Sequence, residues 1–503
     1  MANVSTAETA RSTTLRNFGF SGACRIVTAV SSLAVSVITA RSLGATDMGI
    51  YSFVLWVAAS IAALSSFGLP DAVAKYVAEQ KGSGNHALAA KIARRIIAVQ
   101  ILAAGIASVV GAGVWSALAS HHLILVFLAL ATVMPAALQQ MLLALMEGAQ
   151  NFHLQLMSTF GGAVFQVGIV AAVAVRHGSI QGFLLANLLS SVVFAAFTLF
   201  LCRPILTSRF DPDRKTGFPE ISKRIFRFSI SVYGLSLLSL IVFDKSELFV
   251  LRIFQSPAEL AYYSIAFGLI ARLATAGDSI SYVLFPMFVT RFTQNGSEDL
   301  RKVYRQSMRY LQLLMVPIIV WSIPLAPRLV VFVYGSQYAH VAPVVQVLLA
   351  TLLLTVMLTI SASAVFTLDK QTAFFRYMVV VAALNILLDL ALISRYGALG
   401  AAFANGISQS VAVCGLIVLL WRALPGSFPI LASTKIYFAA IVSAAPIFYA
   451  ELVMRSGVPI LCILVVAAVL LYIGLLGGVG ELTRSELMIL AGSLRMSLSK
   501  GEA

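Results

Sequence analysis

The sequence predicts an all-α integral membrane protein of about fourteen transmembrane helices, arranged as two six-helix lobes plus two extra helices. Three observations predict it: an apolar composition, a series of span-length apolar runs, and an internal repeat. The 503 residues are 60% hydrophobic and 11% charged, and the mean hydropathy is +0.94. Soluble domains carry about 25% charged residues. No single water-soluble core buries this much apolar chain, so the solvent is lipid. That excludes a soluble enzyme, a nucleic-acid-binding domain and a disordered chain. The runs are long and continuous rather than alternating, which excludes a strand barrel.

A helix needs about 20 mostly apolar residues to cross the bilayer. Runs of that kind centre near residues 28, 58, 105, 133, 166, 191, 237, 271, 318, 352, 384, 409, 442 and 468. The first contains Arg25 and lacks a cleavage site after it, so it reads as a span and not as a signal peptide. With both termini inside, most of the 35 Lys and Arg fall on the inner side. Only Arg41, Arg176, Lys245, Arg252, Arg328, Arg395 and Arg455 fall outside, and Arg25 and Arg272 lie within spans. This is the positive-inside pattern, and it accounts for the net charge of +15 without nucleic acid. A missed helix would invert every later loop and destroy the asymmetry.

The longest inside loop divides the chain. It gives an N-terminal lobe at 1–202, a basic cytoplasmic linker at 203–227 with Pro204, Pro212 and Pro219, and a C-terminal lobe at 228–421. Two further helices occupy 422–480, and an amphipathic cytoplasmic tail at 481–503 is expected to lie on the inner membrane surface.

The two lobes echo one another. Arg176-His177-Gly178, Gly182 and Ala186-Asn187 recur as Arg395-Tyr396-Gly397, Gly400 and Ala404-Asn405. Arg41, Asp47 and Tyr51-Ser52 recur as Arg252, Glu259 and Tyr263-Ser264. Glu147, Gln150 and Phe152 recur as Asp369, Gln371 and Phe374. An even number of helices per copy keeps the copies in the same orientation. Transporters of this build hold substrate between lobes and rock for alternating access. The Arg-x-Gly turns read as tight outer connections, with glycine supplying positive φ.

Cys24, Cys202, Cys414 and Cys462 are single and sit in apolar segments, so no redox pair or metal knuckle is expected. The six histidines have no metal spacing. The glycines around Gly474–Gly480 follow a helix rather than a strand, which argues against a phosphate loop.

Several runs resemble the polysaccharide and O-antigen flippase branch of the multidrug/oligosaccharidyl-lipid/polysaccharide exporters. Arg41-Ser-Leu-Gly-Ala-Thr-Asp-Met-Gly-Ile-Tyr51 resembles the turn after their first helix. Phe67-Gly-Leu-Pro70 through Lys75-Tyr76 resembles the end of their second. Asp244 with Ala261-Tyr-Tyr-Ser-Ile-Ala266, Pro324 through Tyr334-Gly335 and Tyr338, and Asn385 with Tyr396-Gly397 resemble later segments. The resemblance spans roughly residues 15–420. It implies movement of an undecaprenyl-pyrophosphate-linked oligosaccharide from the inner to the outer leaflet of the bacterial cytoplasmic membrane. It implies membrane lipids and polysaccharide polymerase or ligase machinery as partners. It implies no catalytic residue, no metal and no cofactor, with Na⁺ or H⁺ as the coupling ion where transport is coupled. An ion-coupled drug/cation antiporter of the same superfamily and a lipid II-type flippase are the alternatives. A membrane polymerase or glycosyltransferase fits poorly, because the outer loops are short.

A charge within a span costs about 2.5–3.5 kcal/mol on insertion scales, so each needs a reason. Arg272, near the middle of the eighth span, is too deep to snorkel easily. It reads as a bidentate clamp for a pyrophosphate, or as a structural partner of Asp278. Arg25 lies about two turns into the first span and either faces substrate or snorkels. Lipid II flippases carry cavity arginines on their first and eighth helices, which by resemblance supports both as substrate-binding. Asp244, Lys245 and Glu247 read as an interfacial ion-pair group, with Asp244 as a gate or coupling carboxylate in the sharper reading. Asn385 and Asp389 share a helix face and either hold a coupling ion or tie to a neighbouring helix. Asp278 is read in the same way, and Asp71 and Lys75 as an i,i+4 pair.

In a variant lacking the four native cysteines, Ser179→Cys and Ser456→Cys are expected to react with a membrane-impermeant maleimide in intact cells. Reaction only after permeabilisation would overturn the topology.

Overall fold

The computed structural model describes residues 2–118, 123–207, 218–451 and 458–481, with side chains described from residue 19 onward. Among the described residues the chain forms fifteen α-helices and one short 3₁₀ helix, Ser336–Tyr338, with no strand. Ten helical segments are long and apolar enough to cross a membrane. Three of these run two spans together across a glycine turn: Gly44 in α1 (Ala2–Leu64), Gly296 in α10 (Pro257–Tyr334) and Gly397 in α13 (Gln371–Ala423). The backbone leaves helical dihedrals at each of these glycines, so two helices meet there at a sharp kink.

The remaining helices are α2 (Leu69–Gly82), α3 (His86–Leu118), α4 (Leu123–Leu130), α5 (Val133–Gly148), α6 (Phe152–Val175), α7 (Ile180–Leu206), α8 (Phe218–Val242) and α9 (Glu247–Phe254). After α10 come α11 (Val341–Thr355), α12 (Leu358–Thr367), α13, α14 (Ile430–Tyr449) and α15 (Val458–Gly478). The second span is interrupted between α1 and α2, the fourth between α4 and α5, the seventh between α8 and α9, and the tenth between α11 and α12. Helix takes up both ends of the expected linker at 203–227, and residues 208–217 within it lie outside the described residues. The expected amphipathic tail beyond Glu481 also lies outside them.

The backbone repeats with the sequence. Gly84 and Gly296 occupy corresponding turns at φ 73° and 74°. Gln150 and Asp369 do so at 57° and 55°, and His177 and Gly397 at 51° and 56°. The Arg-x-Gly turns differ in one respect from the expectation. In the first copy the left-handed residue is His177, and Gly178 serves instead to pass close to Val173. In the second copy Gly397 itself is left-handed, and the Ala398 N–H beyond it donates to Glu259 Oε2 at 2.7 Å.

The chain divides into two compact units. One comprises Met1–Ile265, Val333–Tyr338 and Asn385–Ala401; the other comprises Ala266–Phe332, Ala339–Leu384 and Ala402–Ala503. The core of the first packs Val73 and Tyr76 of α2 with Ile92 of α3 and with Met141, Leu142 and Leu145 of α5. A collar of hydrogen bonds ties α1 to the end of α10. Arg41 Nε donates to Val333 O at 2.8 Å, Tyr338 Oη to Ala40 O at 2.7 Å, and the Ser36 and Tyr334 hydroxyls lie 3.3 Å apart. In the second unit, Val316 and Val320 of α10 pack on Ile436, Ala439 and Ala440 of α14 and on Tyr472 of α15. One end of this unit is tied by Glu481, which pairs with Arg309 at 3.1 Å and Lys435 at 3.6 Å. At the turn around Gly296, the Arg301 guanidinium hydrogen-bonds Glu298 and holds its carboxyl below the usual range.

Gly397→Ala puts a side chain at φ 56° with its Cβ 2.5 Å from Glu259 Oε2. The expected result is a melting temperature lowered by several degrees in detergent, corresponding to about 1–2 kcal/mol of left-handed strain plus the displaced Glu259 bond. An unchanged melting temperature would show that the turn relaxes freely.

Candidate functional site

The seventh span breaks where a polar run, Asp244-Lys245-Ser246-Glu247, interrupts apolar chain. Irregular backbone at membrane depth is tolerated only where its polar groups find partners inside the protein. Here they do. Ile241 O accepts from Ser246 Oγ at 2.7 Å, and the Lys245 N–H donates to Asp244 Oδ1 at 2.8 Å. With its amide nitrogen turned toward the break, Asn385 donates to the same Ile241 O at 3.0 Å and to Asp389 Oδ2 at 3.3 Å. The pair read from i,i+4 spacing on α13 thus meets Asp244's helix break, all within the first unit.

Two further side chains join them. Glu247 opens α9 and is fully buried, as is Tyr263 on α10. Tyr263 lies within the electrostatic reach of Glu247, Asp389 and Asp244, and Asp389 within that of Glu247. Of the Asp244, Lys245 and Glu247 group, Glu247 is fully buried at the start of α9, and Lys245 Nζ reaches Ser264 Oγ at 3.3 Å. Asp389 is 2% exposed, and its Oδ1 has no hydrogen-bond partner. Two neighbouring carboxylates in a low-dielectric interior repel unless a proton or a small cation sits between them. With the Asn385 amide nitrogen facing Asp389 and Ile241 O, the buried carboxylates of Asp389 and Glu247 suit a proton; no three His, Cys, Asp or Glu side chains among the described residues converge as metal ligands.

Arg272 is half-buried on α10 in the second unit, with Nη1 2.9 Å from the point a Cβ on Gly268 would occupy. The guanidinium therefore lies back along its own helix, over a glycine one turn earlier. Arg25 is half-buried on α1 in the first unit, next to the buried Cys24. The Asp278 side chain, the other acidic group expected on this helix, lies outside the described residues. A cavity of about 500 Å³ in the second unit is lined by Val347, Thr351, Tyr377, Phe403, Ile407 and Cys414, among others. It has no charged lining, and the Tyr377 hydroxyl is already spent on Val411 O at 2.6 Å. It is an uncharged, mostly apolar furrow.

These features define a multi-pass, all-α membrane protein with charged and carboxylate sites held at span depth. The chain belongs to the polysaccharide biosynthesis protein family, whose model matches residues 38–343. It is 21% identical over 381 residues to the probable low-salt glycan biosynthesis flippase Agl15 of Haloferax volcanii, covering 74% of this chain and 76% of that one. Its fold matches the lipid II flippase MurJ in an inward closed conformation, with a TM-score of 0.68 at 14% identity over 91% of this chain and 97% of that one. It also matches an inward-facing multidrug resistance MATE family transporter, with a TM-score of 0.61 at 14% identity over 78% and 94%. At those identities the structural likeness shows a shared fold alone.

Asn385→Ala removes the donor to both Asp389 and Ile241 O. A destabilisation of about 1–3 kcal/mol is expected for the orphaned buried acceptors, read as a lower melting temperature in detergent. Stability equal to wild type would mean that these groups are satisfied otherwise.

Proposed function

We propose that the protein is a flippase that carries a lipid-linked oligosaccharide across the bacterial cytoplasmic membrane by alternating access, with both termini cytoplasmic. The observation that carries this reading is the family match over residues 38–343, in a chain whose fold repeats as two six-helix lobes. The substrate is an undecaprenyl-pyrophosphate-linked glycan, handed on to polymerase or ligase machinery on the outer side. The protein acts as a carrier and not as an enzyme. Arg272 supplies the fixed cation that a pyrophosphate needs inside a low-dielectric cavity, and Arg25 is the second anion contact. The Asp244–Asn385–Asp389 set, with Glu247, binds Na⁺ or H⁺ to couple the cycle. Asp278 remains a proposed second coupling or gating carboxylate.

The carboxylate set also suits a cation-coupled drug exporter. That reading takes acidic cavity residues as the substrate contacts and predicts increased drug sensitivity on deletion with glycan export unchanged.

Arg272→Ala is expected to abolish surface glycan in a complementation assay while the protein still accumulates in the membrane. Arg272→Lys should retain part of the activity, because charge survives and the bidentate fork does not. Full export by Arg272→Ala would remove the anion-site argument. For coupling, Na⁺ or a pH change should raise the melting temperature of the wild type, and Asp389→Asn should lose that response. A wild type indifferent to both would refute ion binding at this set.

A further inference from the structure

The Phe67-Gly-Leu-Pro70 segment takes no part in either charged site, yet the second span unwinds there. Phe67 and Gly68 are both left-handed, at φ 47° and 67°. Gly68 passes so near α8 that a Cβ would sit 2.5 Å from Ser229 O, and the Tyr233 hydroxyl of α8 donates to Leu64 O at 2.6 Å. The chain restarts as α2, with Asp71 in its first turn. α2 and α8 share one apolar core, in which Ile225 and Phe228 pack with Val73 and Tyr76. The break therefore stands on a packed base.

Beside it lies a cavity of about 170 Å³ within the first unit. Its polar lining comes from Ser66 at the break, Asp71 of α2, Gln140 of α5 and Ser236 of α8. The fold does not use these groups up. Among the described residues, the Asp71 carboxylate and the Gln140 amide have no side-chain hydrogen bond or ion pair. Lys75, the i,i+4 neighbour that would neutralise Asp71, lies 4.0 Å above the Phe228 ring instead. The Ser66 and Ser236 hydroxyls donate back to Ala63 O at 2.8 Å and Val232 O at 3.1 Å, which leaves their lone pairs free to accept. Phe67, flanked by the lining residues Ser66 and Gly68, is 47% exposed, and its ring lies 5.1 Å from that of Tyr233.

This inventory selects its ligand. A carboxylate in the first turn of α2 complements the helix dipole, but that role does not explain an unspent amide from α5 on the same cavity. The acceptors call for several donors spread over one small body. A bare cation is too small, because the space equals that of about five or six waters. No three His, Cys, Asp or Glu side chains converge there among the described residues. Asp71 repels a pyrophosphate, and an isoprenoid tail would leave Asp71 and Gln140 desolvated without partners. A single sugar ring meets every condition. Two adjacent hydroxyls match the two oxygens of a carboxylate, a third suits an amide, and the C–H face suits an exposed aromatic ring.

We propose that this cavity is a monosaccharide subsite, which takes one uncharged pyranose of the glycan. Asp71 accepts from two neighbouring hydroxyls, Gln140 pairs with a third, and Phe67 lies against the ring's apolar face. The negative charge of Asp71 selects against uronic acids, so the subsite contributes to the choice of glycan. This deepens the flippase reading above and rests on it.

The test uses the full chain in phospholipid nanodiscs, free of sugar-headed detergent. The probes are the methyl pyranosides of glucose, galactose, mannose, N-acetylglucosamine and glucuronic acid, read by saturation-transfer NMR. At least one neutral glycoside is expected to bind. Asp71→Asn should weaken it about tenfold, as for loss of a charged hydrogen-bond acceptor, and Gln140→Leu about fivefold. Both side chains are exposed, and an unchanged melting temperature confirms that the variants fold. The glucuronide should bind about tenfold more weakly than methyl glucoside or not at all. Absence of binding by every neutral glycoside, or equal binding by wild type and Asp71→Asn, overturns the subsite. Stabilisation by Na⁺ that Asp71→Asn abolishes, with no glycoside bound, assigns the cavity to a cation and also overturns it. The binding arm needs no transport. Glycoside binding that depends on Asp71, in a protein whose deletion leaves surface glycan unchanged, keeps the subsite and removes the flippase reading. Surface glycan lost on deletion, without Asp71-dependent binding, removes the subsite alone.

Discussion

Lipid offers no hydrogen bonds, and every backbone group left unpaired by a helix break must be served from inside the protein. The rest of the structure follows from this constraint. Where the second span unwinds, Gln100 donates to Ser65 O and Tyr233 to Leu64 O. Where the seventh unwinds, Ser246 and Asn385 share Ile241 O. These two breaks therefore recruit polar side chains from other helices, and those side chains join the helices there. The polar residues that look expensive in sequence are the ones that make the breaks possible.

Much of the fold was legible because hydropathy and charge are read directly by the membrane. Helices cover the expected span centres from the run near residue 28 to the one near 468, and the turns at Gly44, Gly296 and Gly397 fall between centres. The joining of Asn385 with Asp389 was legible from spacing, and the motifs at Arg41 and Tyr334-Gly335 met as hydrogen-bonded neighbours. The burial of Glu247 was not legible, because a carboxylate near a span end usually meets solvent. Only the break was signalled, by the four polar residues standing together within an apolar run. Tyr263 gave less warning, since a tyrosine within a span reads as packing. The Lys75 contact was not legible, because i,i+4 spacing favours Asp71 and says nothing of an aromatic ring on a helix more than a hundred residues later.

Breaks placed near different ends of the spans divide the labour. The seventh-span break gathers carboxylates and an amide around one carbonyl, an arrangement suited to a proton. The second-span break gathers aromatic rings and a glycine beside a small polar cavity. The arginines stand apart from both, on helical stretches of α1 and α10, and the Arg272 guanidinium lies over the missing side chain of Gly268.

The paired turns at His177 and Gly397 bear on how such a molecule remembers its origin. The two copies share their flanking Arg, Gly and Ala-Asn letters but not the residue at the corner, yet φ there agrees to within a few degrees. One copy reaches it with an imidazole that tolerates the left-handed well, the other with a residue that has no side chain to object. A duplicated membrane chain can therefore let its alphabet drift while its corners stay fixed, since a corner that opened would reverse the direction of every helix after it. Ancestry in such proteins is better sought in a list of torsion angles than in a string of residues.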